Sequence, residues 1–155
     1  MNRNRTARRT TTAVLAIAAF TAIAAPAAHA ADFTFDHDDM TLLRTQASLS
    51  FGGVDWGQEI GTDVISGKLS GVLTFHGGLA GCARVVIRWK SGSGVIDTDK
   101  SPEVCSPSSL PSAPTSFHRS ARSASLRSVT AELQVRNLNT DYQTIATKSV
   151  AAGGN

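Results

Sequence analysis

The stretch GCARVVIRWKSGSGVIDTDK, residues 81 to 100, is decisive for the fold. Its first half alternates apolar and polar residues, and four side chains form the apolar phase: Ala83, Val85, Ile87 and Trp89. Such period-2 alternation is typical of a strand that buries one face. The residues SGSG then form a turn. The stretch therefore predicts a β-hairpin with one face in the core.

The hairpin register can be read from the pairs that it creates. Pairing Lys90 with Val95 across the turn places Trp89 opposite Ile96, which is an apolar pair on the inner side. The same register places Arg88 opposite Asp97 on the outer side. A single register thus predicts an apolar pair and an opposite-charge pair, as cross-strand packing favours.

The two cysteines are expected to form a disulfide. The hairpin register places Cys82 opposite Glu103, so that Cys105 lies diagonally across from Cys82 on the same face. That diagonal is close to disulfide distance. An even cysteine count in a secreted chain also favours a bond over a reactive thiol. Closing the loop between the cysteines predicts about 3 kcal/mol of stabilisation through chain entropy.

The rest of the chain extends the all-β prediction. Alternating patterns indicate further strands at residues 41–51, 64–76, 123–136 and 142–150. Residues 52–63 are interpreted as an irregular connection and the Pro-rich residues 101–116 as a surface crossover, since proline cannot donate to a sheet. We therefore predict an antiparallel β-sandwich, immunoglobulin-like or related, of about six to seven strands, with an open β-barrel as the alternative.

Two strands carry more specific expectations about their buried faces. In residues 41–51 the apolar phase includes Leu43, Leu49 and Phe51, which are expected to face the core. In residues 64–76 the packed phase includes Gly67 and Gly71. Glycine at packed positions predicts a bend or a close approach of backbone.

The N-terminal residues have the features of a secretory signal peptide. Four arginines precede an apolar run at residues 13–25, and Ala28-His29-Ala30 is a small-x-small cleavage site. Arg8-Arg9 leaves the twin-arginine route as an alternative to general secretion. The apolar run is shorter than the ~20 residues that span a bilayer, so no transmembrane anchor is expected.

These features divide the chain and indicate its location. We predict a signal peptide at 1–30, an acidic N-terminal segment at 31–40, a single β-sandwich domain at 41–150 and a disordered tail at 151–155. The Ala/Arg-rich start and the Ser/Thr/Gly-rich body are typical of small secreted proteins of high-GC bacteria. The protein is therefore expected to be extracellular.

Charge argues against nucleic acid as a partner. Four of the fifteen Lys and Arg residues lie in residues 1–30, and none of the twelve Asp and Glu residues does. The mature chain then has eleven basic and twelve acidic residues, a net charge of −1. Nucleic-acid binding depends on many contacts between basic side chains and phosphates, which this chain is not expected to supply.

The acidic segment contains candidate metal ligands. Four residues could bind Ca²⁺ or a transition metal: Asp36, His37, Asp38 and Asp39. Their spacing fits no defined metal-binding loop. A solvated acidic segment is therefore the favoured interpretation, and neither a metal nor another cofactor is expected.

Four other residues are candidates for ligand binding. Trp56 could stack on a sugar ring if its indole is exposed, although packing on the edge of the sandwich is favoured. Arg84, Arg88 and Lys90 form an outward basic stripe that could bind an anionic cell-wall polymer. A mixed solvated face, balanced by nearby carboxylates, is the favoured interpretation of that stripe.

No catalytic signature is present in the sequence. His76 and His118 have no recognisable spacing to a nucleophile or a carboxylate, and no G-x-S-x-G motif occurs. We predict a non-enzymatic secreted protein that binds a cell-wall polymer, a polysaccharide or a protein at or outside the cell surface. The alternatives are a protease inhibitor that presents the Pro/Ser-rich loop 106–116 and a small hydrolase with an unrecognised site.

Overall fold

The computed structural model describes residues 33 to 153, so the predicted signal peptide at 1–30 lies outside the described residues. The described chain is all-β. Its strands are β1 (Phe33–Asp39), β2 (Leu42–Leu43), β3 (Ala47–Glu59), β4 (Ile65–Phe75), β5 (Gly81–Ser91), β6 (Gly94–Lys100), β7 (Val104–Ser106), β8 (Thr115–Ser123), β9 (Ser128–Asn137) and β10 (Gln143–Ala151).

The strands form two antiparallel sheets that pack as a β-sandwich, and this confirms the predicted fold class. Sheet A has the order β1-β3-β4-β8, with β2 also paired to β3. Sheet B has the order β10-β9-β5-β6, with β7 also paired to β5. The two sheets do not close into a barrel. Among residues 33–153, no helix has the length and apolar character that crossing a membrane requires.

The core lies between the sheets and contains a tryptophan pair. Trp56 of β3 and Trp89 of β5 meet edge to face, with ring centroids 6.4 Å apart and an interplanar angle of 87°. A Cβ atom at Gly67 would lie 2.7 Å from Cζ3 of Trp89 and 2.8 Å from Cζ3 of Trp56. Glycine is therefore required where the two indoles meet β4, which confirms the predicted close approach.

The hairpin of β5 and β6 has the predicted Lys90–Val95 pair next to the turn but departs from the predicted register beyond it. A bulge next to Lys90 shifts the pairing, so Trp89 lies opposite Asp97 and Arg88 lies opposite Thr98. The predicted Trp89–Ile96 and Arg88–Asp97 pairs are wrong, because one extra residue in a strand exchanges every later partner. The indole N–H of Trp89 instead donates to the Asp99 carboxylate at 3.0 Å. A buried indole needs such an acceptor.

Residues 52–63, predicted as an irregular connection, are mostly strand. β3 continues through Glu59, and a bulge between Ser50 and Gly53 shifts its pairing with β4. A Cβ atom at Gly52 would lie 2.6 Å from the carbonyl oxygen of Met40. The two glycines therefore permit a close approach within a continuing strand rather than ending it.

The first and last strands lie at or near the ends of the described chain. Most of the predicted acidic segment is β1, which pairs with β3 from Phe33 opposite Glu59 to Asp39 opposite Gly53. β10 extends through Ala151, the first residue of the predicted tail. The acidic segment is thus the edge strand of sheet A.

Candidate functional site

Trp56 belongs to the core and not to the surface. Its side chain is 3% exposed, and its indole N–H donates to Asp38 Oδ2 at 2.9 Å. An indole buried to this extent has no open face on which a sugar ring could stack.

The basic stripe of β5 lies on the outer face of sheet B, and neighbouring side chains divide it. Arg88 forms an ion pair with Glu132 of β9. Arg84 donates from Nε to Gln134 at 3.0 Å, and its guanidinium lies 3.7 Å from the ring centroid of Tyr142. Lys90 is half-buried at the turn end of the strand. These contacts match a mixed polar face better than an uninterrupted basic site.

The predicted disulfide is present between Cys82 of β5 and Cys105 of β7. The cysteines are directly opposite each other in the ladder, not diagonal, because β7 pairs with β5 in its own register. Glu103 lies within 4.8 Å of both sulfur atoms, but sulfur in a disulfide is not the thiolate that a metal binds.

Glu103 anchors a polar cluster beside the disulfide. Its carboxylate accepts hydrogen bonds from Tyr142 Oη and from Arg136, whose Nη2 lies 2.6 Å away. The hydrogen bond from Tyr142, followed by that from Arg136, lowers the pKa of Glu103 below its ordinary value. Burial, followed by the bond to Glu103, raises the pKa of Tyr142 to about 12. The cluster joins the residue before β7, strand β9 and the turn before β10.

The acidic residues of β1 do not converge on a metal site. Alternate residues of a strand point to opposite faces, which separates neighbouring carboxylates. Asp38 accepts from the Trp56 indole, while Asp39 pairs with Lys148 Nζ at 2.6 Å. The hydrogen bond from Lys148, the largest cause, lowers the pKa of Asp39 to about 2. His37 Nδ1 lies 2.7 Å from Asp55 Oδ1 of β3.

His76, which follows β4, contacts a buried serine, whereas His118 of β8 lies on an outer face. His76 follows β4, and its Nε2 lies 2.9 Å from Ser48 Oγ. Ser48 is buried, so this Ser–His contact does not offer the hydroxyl to a substrate in the described conformation. His118 lies opposite Ser70, on the outer face of sheet A.

The Pro/Ser-rich loop 106–116 is held against β4. The Ser112 N–H donates to the Phe75 carbonyl at 2.8 Å, and its Oγ accepts from the Phe75 N–H at 2.9 Å. A Cβ atom at Gly77 would lie 2.5 Å from the Ser109 carbonyl oxygen and 2.8 Å from that of Leu110. These two carbonyls therefore face Gly77. A serine protease must bring the carbonyl that it attacks into its own oxyanion hole. The Leu110 carbonyl faces Gly77 instead, so this packing does not favour cleavage after Leu110.

The most unusual surface residue is Phe51, for which sequence alternation predicts a core position. Its side chain is 89% exposed, and its backbone φ is 49°, so that prediction is wrong. Among residues 33–153 it is the one non-glycine residue with positive φ. The bulge between Ser50 and Gly53 reverses the phase of β3 and turns the ring outward. The Gly52-Gly53 pair is the sequence signal that could have indicated this irregularity.

The residues around Phe51 form a shallow depression of about 560 Å³, which we term the Phe51 surface. Its lining consists of His37, Asp39, Thr41, Leu43, Ser50, Phe51 and Gly52. Leu43, also predicted to face the core, is exposed here. A second depression of about 570 Å³ shares His37 and continues past Asp55, Lys68 and Ser120. The two depressions meet at His37 and together form a shallow track of mixed polar and apolar lining along the outer face of sheet A.

The fold and its surface define a disulfide-linked antiparallel β-sandwich with an exposed aromatic ring beside an open, shallow track. Comparisons with family models, curated proteins and solved structures give no match to this chain. A β-sandwich fold by itself does not define a function, which lies in the particular surface of the chain.

Proposed function

We propose that this protein is a secreted, non-enzymatic β-sandwich that binds an extracellular polysaccharide through the Phe51 surface. The observation that carries the proposal is the exposed ring of Phe51 on a backbone with φ of 49°. Left-handed backbone at a non-glycine residue is costly and is concentrated at functional sites. A large aromatic face that is fully open to solvent is suited to stacking on the apolar face of a sugar ring.

The polar groups around the ring are suited to sugar hydroxyls. The carboxylate of Asp39 and the hydroxyls of Thr41 and Ser50 offer hydrogen-bond acceptors and donors in the same depression. Lys148 balances the charge of Asp39 at 2.6 Å, so the surface has little net attraction for a strongly charged polymer. An uncharged polysaccharide therefore fits the Phe51 surface better than an anionic one.

The continuation of the track supports a polymer rather than a single sugar. His37 belongs to both depressions, and its imidazole is hydrogen-bonded to Asp55 where the two depressions meet. A chain of sugars lying on Phe51 could extend across sheet A towards Lys68 and Ser120. Contacts with successive sugar units would add to affinity without a deep pocket.

An extracellular location is supported by two independent features of the chain. Residues 1–30 have the order of charged, apolar and small residues that directs secretion. The disulfide between Cys82 and Cys105 is of a kind that persists in oxidising compartments.

Co-sedimentation with insoluble glycans tests the proposal. The mature protein is incubated with cellulose, chitin, insoluble xylan and purified peptidoglycan, and the bound fraction is measured against free concentration. We expect binding to at least one glycan, a loss of about tenfold or more in Phe51→Ala and retention in Phe51→Trp. Val95→Ala, at an exposed residue of the β5–β6 hairpin, is the matched control.

Two results would contradict the proposal at different levels. If no glycan retains the wild-type protein, polysaccharide binding itself is refuted. If a glycan binds wild type and Phe51→Ala equally well, the ligand class stands but the Phe51 surface is not its site.

A further inference from the structure

The Pro/Ser-rich loop 106–116 is a candidate for covalent modification. Six of its eleven residues carry a hydroxyl group, three are proline and none is charged. Segments rich in serine, threonine and proline are typical of O-glycosylated regions of secreted proteins. Proline suits such a segment because its fixed φ and its effect on the preceding residue keep the chain extended. The structure restricts this possibility to particular hydroxyl groups.

The fold holds the loop at both ends. The disulfide of Cys105 fixes the chain just before the loop begins. Ser112 exchanges two hydrogen bonds with the backbone of Phe75, at 2.8 and 2.9 Å, and so fixes the second half. All of residues 107–111, between these two anchors, are exposed. They form a short exposed arch on a fixed base, which we term the 107–111 arch.

Three hydroxyl groups of the loop already serve the fold. Ser106 is buried, and its Oγ donates to a backbone carbonyl at 3.1 Å. Ser112 Oγ accepts the hydrogen bond from β4, and the half-buried Thr115 donates to a backbone carbonyl at 3.4 Å. A sugar on any of these oxygens would displace a hydrogen bond that the folded chain uses. These three positions are therefore poor acceptors.

The 107–111 arch carries the two hydroxyl groups that remain open in the loop itself. Ser108 is exposed, and its Oγ accepts from the Leu110 N–H at 3.3 Å. Ser109 is also exposed, and among the described residues its hydroxyl forms no hydrogen bond, while its carbonyl accepts from the Gly78 N–H at 3.2 Å. Ser116 is exposed but lies within β8, where β4 pairs with its backbone. Ser109 is therefore the most accessible acceptor, followed by Ser108.

A neutral sugar fits the 107–111 arch better than a phosphate group. Phosphoserine carries about −1.5 to −2 charges at pH 7 and is stabilised by basic side chains. No residue of the loop is basic. A sugar needs no partner of opposite charge, and it stays solvated when it is attached to an exposed hydroxyl.

We propose that the exported protein is O-glycosylated at Ser109, with Ser108 as a second acceptor, by a transferase that uses a lipid-linked sugar phosphate. Ser109 Oγ forms a bond to the anomeric carbon of the sugar, and the bond from that carbon to the phosphate oxygen breaks. The phosphate leaves with the electron pair, and the hydroxyl proton passes to a base of the transferase. This inference rests on the extracellular location in the proposed function and not on the Phe51 surface.

Mass spectrometry of the exported protein tests the inference. The full chain is produced in a high-GC Gram-positive host that O-glycosylates a co-expressed reference protein, and the mature form is purified from the medium. We expect its intact mass to exceed that of the mature sequence by one or two hexose units, which electron-transfer fragmentation should locate at Ser109 and Ser108. Ser108→Ala/Ser109→Ala should lose the added mass completely. The chain without residues 1–30, retained in the cytoplasm, should carry none.

Ser93→Ala is the matched control. Ser93 is also an exposed serine, but it lies in the glycine turn between β5 and β6 and has no proline near it. We expect this variant to keep the full added mass, and Ser93 of the wild-type protein to carry no sugar. Circular dichroism of each variant verifies the fold.

The results that would overturn the inference can be told apart. Exported protein without added mass, or with its sugar at Ser93, Ser106 or Ser112, removes the 107–111 arch as the acceptor. An added phosphate mass assigns the loop to phosphorylation instead. Protein that stays in the cell removes the extracellular location and this inference together, whereas exported but unmodified protein removes this inference alone.

Discussion

Replacement of Phe51 by glycine is expected to stabilise the protein while abolishing polysaccharide binding. At a φ of 49° a non-glycine residue costs about 1–2 kcal/mol, which glycine does not. Glycine also increases the entropy of the unfolded chain, which lowers the free energy of unfolding by about 0.5–1 kcal/mol and offsets part of the relieved strain. The phenyl ring is 89% exposed, so its removal takes away little buried apolar surface and little hydrophobic stabilisation. The expected net effect is a gain of about 0.5–1 kcal/mol in the free energy of unfolding.

Phe51→Ala separates the role of the ring from that of the backbone. Alanine also lacks the ring but retains Cβ, so the strain at this position stays. We expect its free energy of unfolding to lie within about 0.5 kcal/mol of wild type, as for other exposed sites. Phe51→Gly should therefore be the more stable of the two variants, although both should fail to bind the glycan.

Urea denaturation followed by tryptophan fluorescence measures the difference. The tryptophan pair of Trp56 and Trp89 is buried in the core and reports global unfolding. The midpoint should rise in Phe51→Gly with an unchanged dependence on urea, which shows that stability and not compactness has changed. A glycine variant less stable than the alanine variant would refute the argument from backbone strain. A glycine variant that still binds the glycan would refute the role of the ring.

Three further predictions concern the scaffold. Gly67→Ala should lower the free energy of unfolding by about 1–3 kcal/mol in thermal denaturation, because the new Cβ would lie within 2.8 Å of both indoles. Gly94→Ala is the control, since the nearest atom to its Cβ would be 3.4 Å away. Reduction of the disulfide should lower the free energy of unfolding by about 3 kcal/mol, measured in urea with and without reductant, and non-reducing mass spectrometry should find no free thiol. Stability should fall as pH rises from about 10 towards 12, because the raised pKa of Tyr142 makes the folded protein retain a proton that the unfolded chain releases. Solvent screening limits that loss to the order of 1 kcal/mol, and Tyr142→Phe should remove it in urea titrations across this pH range.

The sandwich could be predicted because its strands show local alternation, and the disulfide could be predicted because the chain has two cysteines. In β5 the side chains of Ala83, Val85 and Ile87 are fully buried, as the period-2 pattern indicates. The disulfide follows from the cysteine count and from strands that run side by side, even though its register differs from the prediction. The close approach at Gly67 could be predicted because a glycine on the packed phase of a strand leaves space that a neighbouring group fills.

The partners and the surface could not be predicted, because bulges change the phase of a strand. A bulge next to Lys90 gave Trp89 and Arg88 new partners on β6. A bulge after Ser50 placed Phe51 outside the core. One inserted residue reverses the direction of the side chains that follow, and the alternating pattern by itself does not show where such a residue lies.

The two bulges differ in what the rest of the fold gains from them. At Trp89 the shifted register accompanies a hydrogen bond from the buried indole to Asp99. The packing of the indole and the hydrogen bond of its N–H therefore account for this bulge. At Phe51 the backbone is held by the bond from the Met40 N–H to the Gly52 carbonyl, but the ring itself lies in solvent. The fold would keep that bond with glycine at position 51 and would avoid the strain. No packing contact in the described chain accounts for the exposed ring, and this asymmetry favours Phe51 over Trp56 and the basic stripe as the residue of the proposed binding surface.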